Sequence, residues 1–170
     1  MPPLPRRTLL GAALAAASGA RAQAVGKATL PLYTLIRPRP ARTAAPRWAA
    51  QFRDFNQVVG YSALGHLFMH STKTGSYAVI YPYLAKGKNY GPFKNIEAFE
   101  QQILKESYFD AVILLREHVA KIRLLKGPLG PEQVYIARPY PFLGGSEAPE
   151  TYDKGDVWVF LDIVAQAQGF

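Results

Sequence analysis

The sequence predicts a two-layer α+β domain, a small antiparallel sheet packed against two to three helices. Three observations carry that expectation. Ser76 to Leu84 alternates, with Tyr77, Val79, Tyr81 and Tyr83 on one face and Ala78, Ile80 and Pro82 on the other, as strand side chains do. Immediately before it, Thr72-Lys73-Thr74-Gly75 reads as a hairpin turn, with Gly75 at the position that needs a positive φ. Downstream, Ile96, Phe99, Ile103 and Leu104 recur on one helical face, and Leu115, Val119 and Ile122 on another.

The other elements follow in chain order. Leu30, Leu32, Leu35 and Ile36 suit one short edge strand ahead of a cluster of prolines and arginines. Residues 25–53 otherwise read as a Pro/Arg-rich arm or linker, at whose end Trp48 and Phe52, with Phe55 just beyond, allow one helical turn with an aromatic face. The domain proper is expected over residues 54–170. Phe55 to Tyr61 is a strand, Ser62 to Gly65 a turn, and Leu67 to His70 extended. Pro82 marks the end of pairing for the strand that holds it. Lys86 to Pro92 reads as a loop, and Asn95 as the cap of a first helix. A second helix is expected over Ala111 to Leu124, stopped by Gly127 and Pro128, and a short strand over Val134 to Ala137. Asp156 to Val164 stays open on pattern alone. Val157, Trp158, Val159 and Phe160 favour a strand, while Val157, Leu161 and Val164 sit near helical spacing.

Composition bounds the chemistry. The chain has 170 residues, 49% hydrophobic and 19% charged, which is a globular composition. It has no Cys, so disulfides, thiolate metal sites and Cys nucleophiles are excluded. There are 20 Lys and Arg against 12 Asp and Glu. The charge is uneven: Val25 to Asn95 holds ten Lys or Arg and one acid, while Ile96 to Phe170 holds seven and eleven. Such polarity steers charged partners, although helices also carry more Glu than hairpins do.

Residues 1–24 read as an export signal. Arg6 and Arg7 precede an uncharged run from Leu9 to Ala20, and Ala22-Gln23-Ala24 is a cleavage site of small-x-small type. The Arg pair resembles a twin-arginine signal; an ordinary secretory signal, or a tail from an upstream start codon that leaves the product cytoplasmic, are the plainer alternatives. The product is expected to be a soluble periplasmic protein that begins at Val25 and carries no membrane anchor.

Several motifs stand in one order. Tyr61-Ser62-Ala63-Leu64-Gly65-His66-Leu67-Phe68 is followed by Thr74-Gly75 with Tyr77 to Tyr83, and then by Gly127-Pro128-Leu129-Gly130-Pro131-Glu132-Gln133-Val134-Tyr135. Pro139-Tyr140-Pro141-Phe142-Leu143-Gly144-Gly145 and Leu161-Asp162-Ile163-Val164-Ala165-Gln166 complete the series. From about Asn56 to Ala167 this order resembles the GAD-related immunity proteins of bacterial type VI secretion systems. The resemblance rests on Gly65, Gly75, Gly127, Tyr135, Pro139, Leu143, Gly144, Gly145 and Asp162 as motif positions. It implies a helical last element, which decides the open segment at Asp156. It also implies an inhibitor that binds a cognate toxin sterically, without catalysis or cofactor. Family members carry a longer N-terminal half and some neutralise nucleases in the cytoplasm. An export signal here points instead to a toxin that attacks cell wall or membrane.

No catalytic set is apparent in the sequence. None of the serines sits in a Gly-x-Ser-x-Gly elbow, and there is no phosphate-binding Gly-rich loop. His66 and His70 lie four apart in an extended segment, and Glu117 stands beside His118; solvated or hydrogen-bonded histidine is the plainer reading of both. Metal, cofactor and catalytic residues are therefore all expected to be none. The candidate partner-binding residues are Tyr81, Tyr83, Lys86, Lys88 and Tyr90, at the end of the clearest strand and in the loop after it. Lysines interleaved with tyrosines also suit nucleic acid, an alternative that the export signal disfavours. An uncharacterised periplasmic binding domain is the other alternative.

Overall fold

The computed structural model describes residues 31–170, so the export signal expected over residues 1–24 lies outside the described residues. Five strands form one antiparallel sheet in the order β1-β2-β3-β4-β5: β1 (Tyr33–Pro40), β2 (Gln57–Ser62), β3 (Leu67–His70), β4 (Ser76–Tyr81) and β5 (Lys86–Pro92). A second sheet pairs β6 (Gln133–Ala137) with β7 (Tyr152–Asp156), also antiparallel. Helices lie against these sheets, which gives the α+β class expected.

Sheet register follows from the hairpins. The amide of Gly75 donates to Ser71 O at 2.8 Å, and Gly75 has a φ of +71°. That turn sets Leu67 opposite Ile80 and His70 opposite Tyr77. The turn between β2 and β3 needs Gly65 for two reasons. Its φ is +82°, and a Cβ there would sit 2.3 Å from the Phe160 ring. Alternate residues of the central strands enter two hydrophobic clusters. Val58, Tyr61, Leu67, Met69, Ala78 and Ile80 pack with α5 (Val157–Ala167) and with Trp48. Val59, Phe68, Tyr77 and Val79 pack with Phe99, Leu104, Phe109, Leu114, Val119 and Ile122. Both faces of the sheet are thus covered.

Residues 33–53, read from the sequence as arm or linker, pack onto the domain. β1 pairs with β2 from Tyr33–Ser62 to Pro40–Gln57, with a register shift between Leu35 and Arg39. Its prolines are tolerated because β1 is an edge strand. Two short helices follow, α1 (Ala41–Ala44) and α2 (Pro46–Gln51). α2 buries Trp48, whose indole donates to Leu161 O of α5 at 2.9 Å.

Four local expectations are corrected. Lys86 to Pro92 is strand β5, not a loop. Its glycines and lysines mimic loop composition, but an edge strand favours Lys because charge there blocks unwanted pairing. Tyr83 does not continue the face of Tyr81. Pro82 has no amide to extend the ladder, and Pro82–Leu84 forms a 3-10 turn that sends Tyr83 to the other cluster. The second helix is broken. Phe109–Ile113 is a π-helical turn, Leu115 has a φ of +52°, and the regular helix α4 is Arg116–Lys126. The break drops Leu114 into the core and leaves Leu115 half-buried. The first helix also widens: after α3 (Ile96–Phe99), Glu100–Leu104 is π-helical and buries Leu104 in preference to Ile103.

The caps behave as their chemistry requires. Asn95 Oδ1 accepts from the Ala98 amide at 2.9 Å. Asp156 accepts from the amides of Trp158 and Val159, both at 2.9 Å, and so opens α5 as a helix despite its strand-like composition. Among the described residues no helix is long and apolar enough to cross a membrane.

Candidate functional site

The five candidate partner residues fall into two groups. Tyr81 ends β4 opposite Lys86 of β5, and Val79 lies opposite Lys88. Lys88 Nζ stands 4.7 Å from the centre of the Tyr90 ring, and the phenols of Tyr81 and Tyr90 are 3.2 Å apart. Burial, and then the hydrogen bond with Tyr81, push the Tyr90 phenol above its ordinary range. Lys86 and Lys88 are exposed. Tyr81, Lys86, Lys88 and Tyr90 therefore occupy adjoining positions on β4 and the edge strand β5. Tyr83 stands apart. Its ring meets Phe160 edge-on at 5.6 Å, and its hydroxyl accepts from the Ala137 amide at 3.2 Å. Burial is the main cause that raises its phenol.

Beside Tyr81 a groove runs between the Pro82–Leu84 turn and the segment from Pro141 to Glu147. One part, about 410 Å³, is lined by Leu64, His66, Tyr81, Tyr83, Phe142 and Phe160 among others. A second part of about 320 Å³ shares Leu64, His66, Tyr81, Tyr83, Leu84 and Glu147, and extends to Val112, Ile113, Leu115 and Tyr152. The walls are mainly apolar, and Leu84 is 64% exposed at the edge.

His66 and Glu147 are the titratable polar side chains in this wall other than the tyrosines, and Ser62 holds His66. Ser62 Oγ lies 3.0 Å from His66 Nδ1 and accepts the amides of Leu64 at 3.2 Å and of His66 at 3.0 Å. Burial lowers the His66 imidazole to a pKa of about 4, so the ring is neutral at pH 7. A neutral imidazole beside a serine invites a nucleophile reading. Here Ser62 is buried and its hydroxyl oxygen is engaged by two amides, which is the geometry of a turn-closing serine.

His70 does not join His66. It stacks on Tyr77 with ring centres 4.4 Å apart, at the far end of β3. His118 packs against Tyr152, 5.3 Å away. Among the described residues no three His, Cys, Asp or Glu side chains are grouped to hold a metal ion.

The motif positions have local roles. Gly65 and Gly75 sit in the two hairpin turns described above. Gly127 ends α4, and the Tyr135 hydroxyl donates to its carbonyl at 2.7 Å. Pro139 follows β6, Leu143 is exposed at the end of the Pro141–Leu143 turn, and Gly144 and Gly145 lead the chain onward. A Cβ on Gly145 would lie 1.8 Å from Pro139 O, so that loop closes on itself. Asp162 accepts from Arg47 at 2.9 Å and from Gln166 at 2.7 Å.

The sequence reading missed the groove. Its one legible sign was Ser62 and His66 flanking Gly65, a serine and a histidine on either side of a tight turn.

No protein-family model and no curated protein matches the chain. The crystal structure of Atu4351 from Agrobacterium tumefaciens is similar to it, with a TM-score of 0.55 at 17% identity over 81% of this chain and 67% of that one. At that identity the likeness is one of fold.

Proposed function

We propose that the chain is an exported immunity protein that binds a cognate bacterial toxin and blocks it sterically, without catalysis. The observation that carries this reading is the face built by Tyr81, Lys86, Lys88 and Tyr90 at the open edge of the sheet. Two lysines are exposed there beside two tyrosines held by each other and by a cation–π contact. Aromatic anchors within a charged rim suit a protein interface. Among the described residues no strand pairs with the outer side of β5, and a strand edge of that kind offers main-chain hydrogen bonds to a partner. The positive charge fits an acidic cleft, such as that of a carboxylate-based cell-wall hydrolase. The resemblance of the motif order from Asn56 to Ala167 supports the immunity role, and the Arg6-Arg7 segment supports export to the periplasm. Tyr83 is left out of the surface, because its packing assigns it to the core side of the turn.

The test is calorimetry between this chain and the product of the adjacent gene. Lys86→Glu and Lys88→Glu should each weaken binding and reduce its salt dependence. Unchanged affinity in both variants would clear this edge of the role. Turnover of a small substrate by the isolated protein, lost on one side-chain change, would overturn the inhibitor reading.

A further inference from the structure

The hydrogen bonds around His66 fix which of its nitrogens carries the proton. A hydroxyl has one proton and two lone pairs. Ser62 Oγ accepts from the amides of Leu64 and His66, so both lone pairs are used. Its third contact, 3.0 Å to Nδ1, must then be the hydroxyl donating. Nδ1 is the acceptor, and the neutral ring holds its proton on Nε2. Among the described residues no hydrogen bond takes up that proton. Among the described residues the buried side-chain polar atom without a partner is Trp158 Nε1, so His66 Nε2 is not sealed in; it opens to the groove that His66 lines.

The groove around this donor is preformed. Tyr83 is clasped by Tyr140, Phe142 and Phe160 at 5.9, 6.0 and 5.6 Å between ring centres. The amide of Gln168 further ties down the Tyr83 carbonyl at 3.0 Å. Cavities of about 300–1,000 Å³ with apolar walls and one or two placed polar groups are the usual form of small-molecule sites. At about 410 and 320 Å³, the two connected parts each fall in that range. Glu147 lines both parts, so an anionic ligand meets repulsion.

We propose that this groove binds a neutral, largely apolar small molecule whose carbonyl oxygen accepts a hydrogen bond from His66 Nε2. Its apolar body lies between Tyr83, Phe142 and Leu84. The site is separate from the lysines of β5 and does not depend on the toxin reading. The Ser62 contact sets Nε2 as the donor, and burial keeps the ring neutral over the neutral pH range.

The test uses the full chain and two fluorophores. One is the ketone 6-propionyl-2-dimethylaminonaphthalene; the other is 2-dimethylaminonaphthalene, which lacks the carbonyl. The ketone should bind saturably, one to one, and about three- to tenfold more tightly than the parent, the usual worth of one hydrogen bond. Leu84→Arg, at an exposed position that leaves the fold intact, should weaken the ketone more than tenfold by placing a charge across the groove. His66→Phe should bring ketone and parent to the same affinity. Absence of saturable binding would overturn the proposal. So would equal affinity of the two probes for the unaltered chain, or an affinity unmoved by Leu84→Arg.

Discussion

Trp48→Ala should destabilise the protein by about 4 kcal/mol, although Trp48 lies in a segment that reads as linker. Trp48 is 1% exposed. A buried Trp withdraws roughly 150–250 Å² from water, worth about 4–6 kcal/mol at about 25 cal/mol per Å², an upper figure. Substitutions of this kind at buried aromatics cost about 3–5 kcal/mol. The indole hydrogen bond to Leu161 O at 2.9 Å supplies about 1 kcal/mol of that total. The remainder is contact, including Phe170 edge-on at 5.1 Å and Phe52 stacked at 6.3 Å. Trp48→Phe keeps most of the ring and loses the donor, so it should cost only about 1–2 kcal/mol. The assay is equilibrium unfolding in urea. With a slope of about 2 kcal/mol per M, the Ala variant should unfold about 2 M earlier. Leu124→Ala, at 86% exposure, is the control and should stay within about 0.5 kcal/mol of the parent. A Trp48→Ala cost below about 1 kcal/mol would refute the argument that residues 33–53 are part of the domain.

Other positions separate strain from contact. Gly65→Ala should cost more than about 2 kcal/mol, because it meets both a φ of +82° and the Phe160 ring, whereas Gly144→Ala, with a φ of +85° and open space, should cost about 1–2 kcal/mol; thermal melts rank the two, and equal losses would show that Phe160 yields freely. His66 should stay neutral in ¹⁵N spectra until about pH 4. Its folded pKa lies below the unfolded 6.5, so the unfolded chain binds more protons between those values, and stability should fall as pH drops from 6.5 towards 4; a folded-state midpoint above 6 would contradict the burial argument. Asp162→Asn should change stability by less than about 1 kcal/mol, since Arg47 and Asp162 are 40% and 47% exposed; a larger loss in urea unfolding would mean that the pair organises the contact between α2 and α5.

The sheet was legible where alternation and turn chemistry agreed. Thr72 to Leu84 gave a hairpin, and the structure places it with Gly75 in the turn. Trp48, Phe52 and Phe55 gave the aromatic turn of α2, yet not its burial, because packing against α5 joins residues more than a hundred positions apart. The break at Leu115 was hidden for a related reason. Leu115, Val119 and Ile122 keep helical spacing on either reading, so the pattern does not show that Leu114 is the buried residue and Leu115 the left-handed one. At Asp156 local chemistry outweighed β-propensity: two amides bonded to one carboxylate start a helix that Val157 to Phe160 would not start alone. β7 gave no sign of itself, since Asp153, Lys154, Gly155 and Asp156 carry no apolar alternation, and its pairing with β6 holds it.

The candidate surface was half legible, and Pro82 accounts for the split. An alternating pattern from Tyr77 to Tyr83 implies one continuous face. Proline cannot donate at the next ladder position, so pairing stops at Tyr81 and the chain turns through Pro82–Leu84, with Ala85 left-handed. Two consequences follow from that one residue. The chain returns as β5 and sets Lys86 and Lys88 beside Tyr81 at the sheet's edge. Tyr83 is released to the opposite cluster, where it becomes a wall of the groove that His66 enters. Tyr81 belongs to both, since it bonds Tyr90 on one side and meets the His66 ring at 5.3 Å on the other. A ligand in the groove and a protein on the edge strand would therefore share Tyr81, and occupancy of one should shift the Tyr81 ring resonances seen by the other.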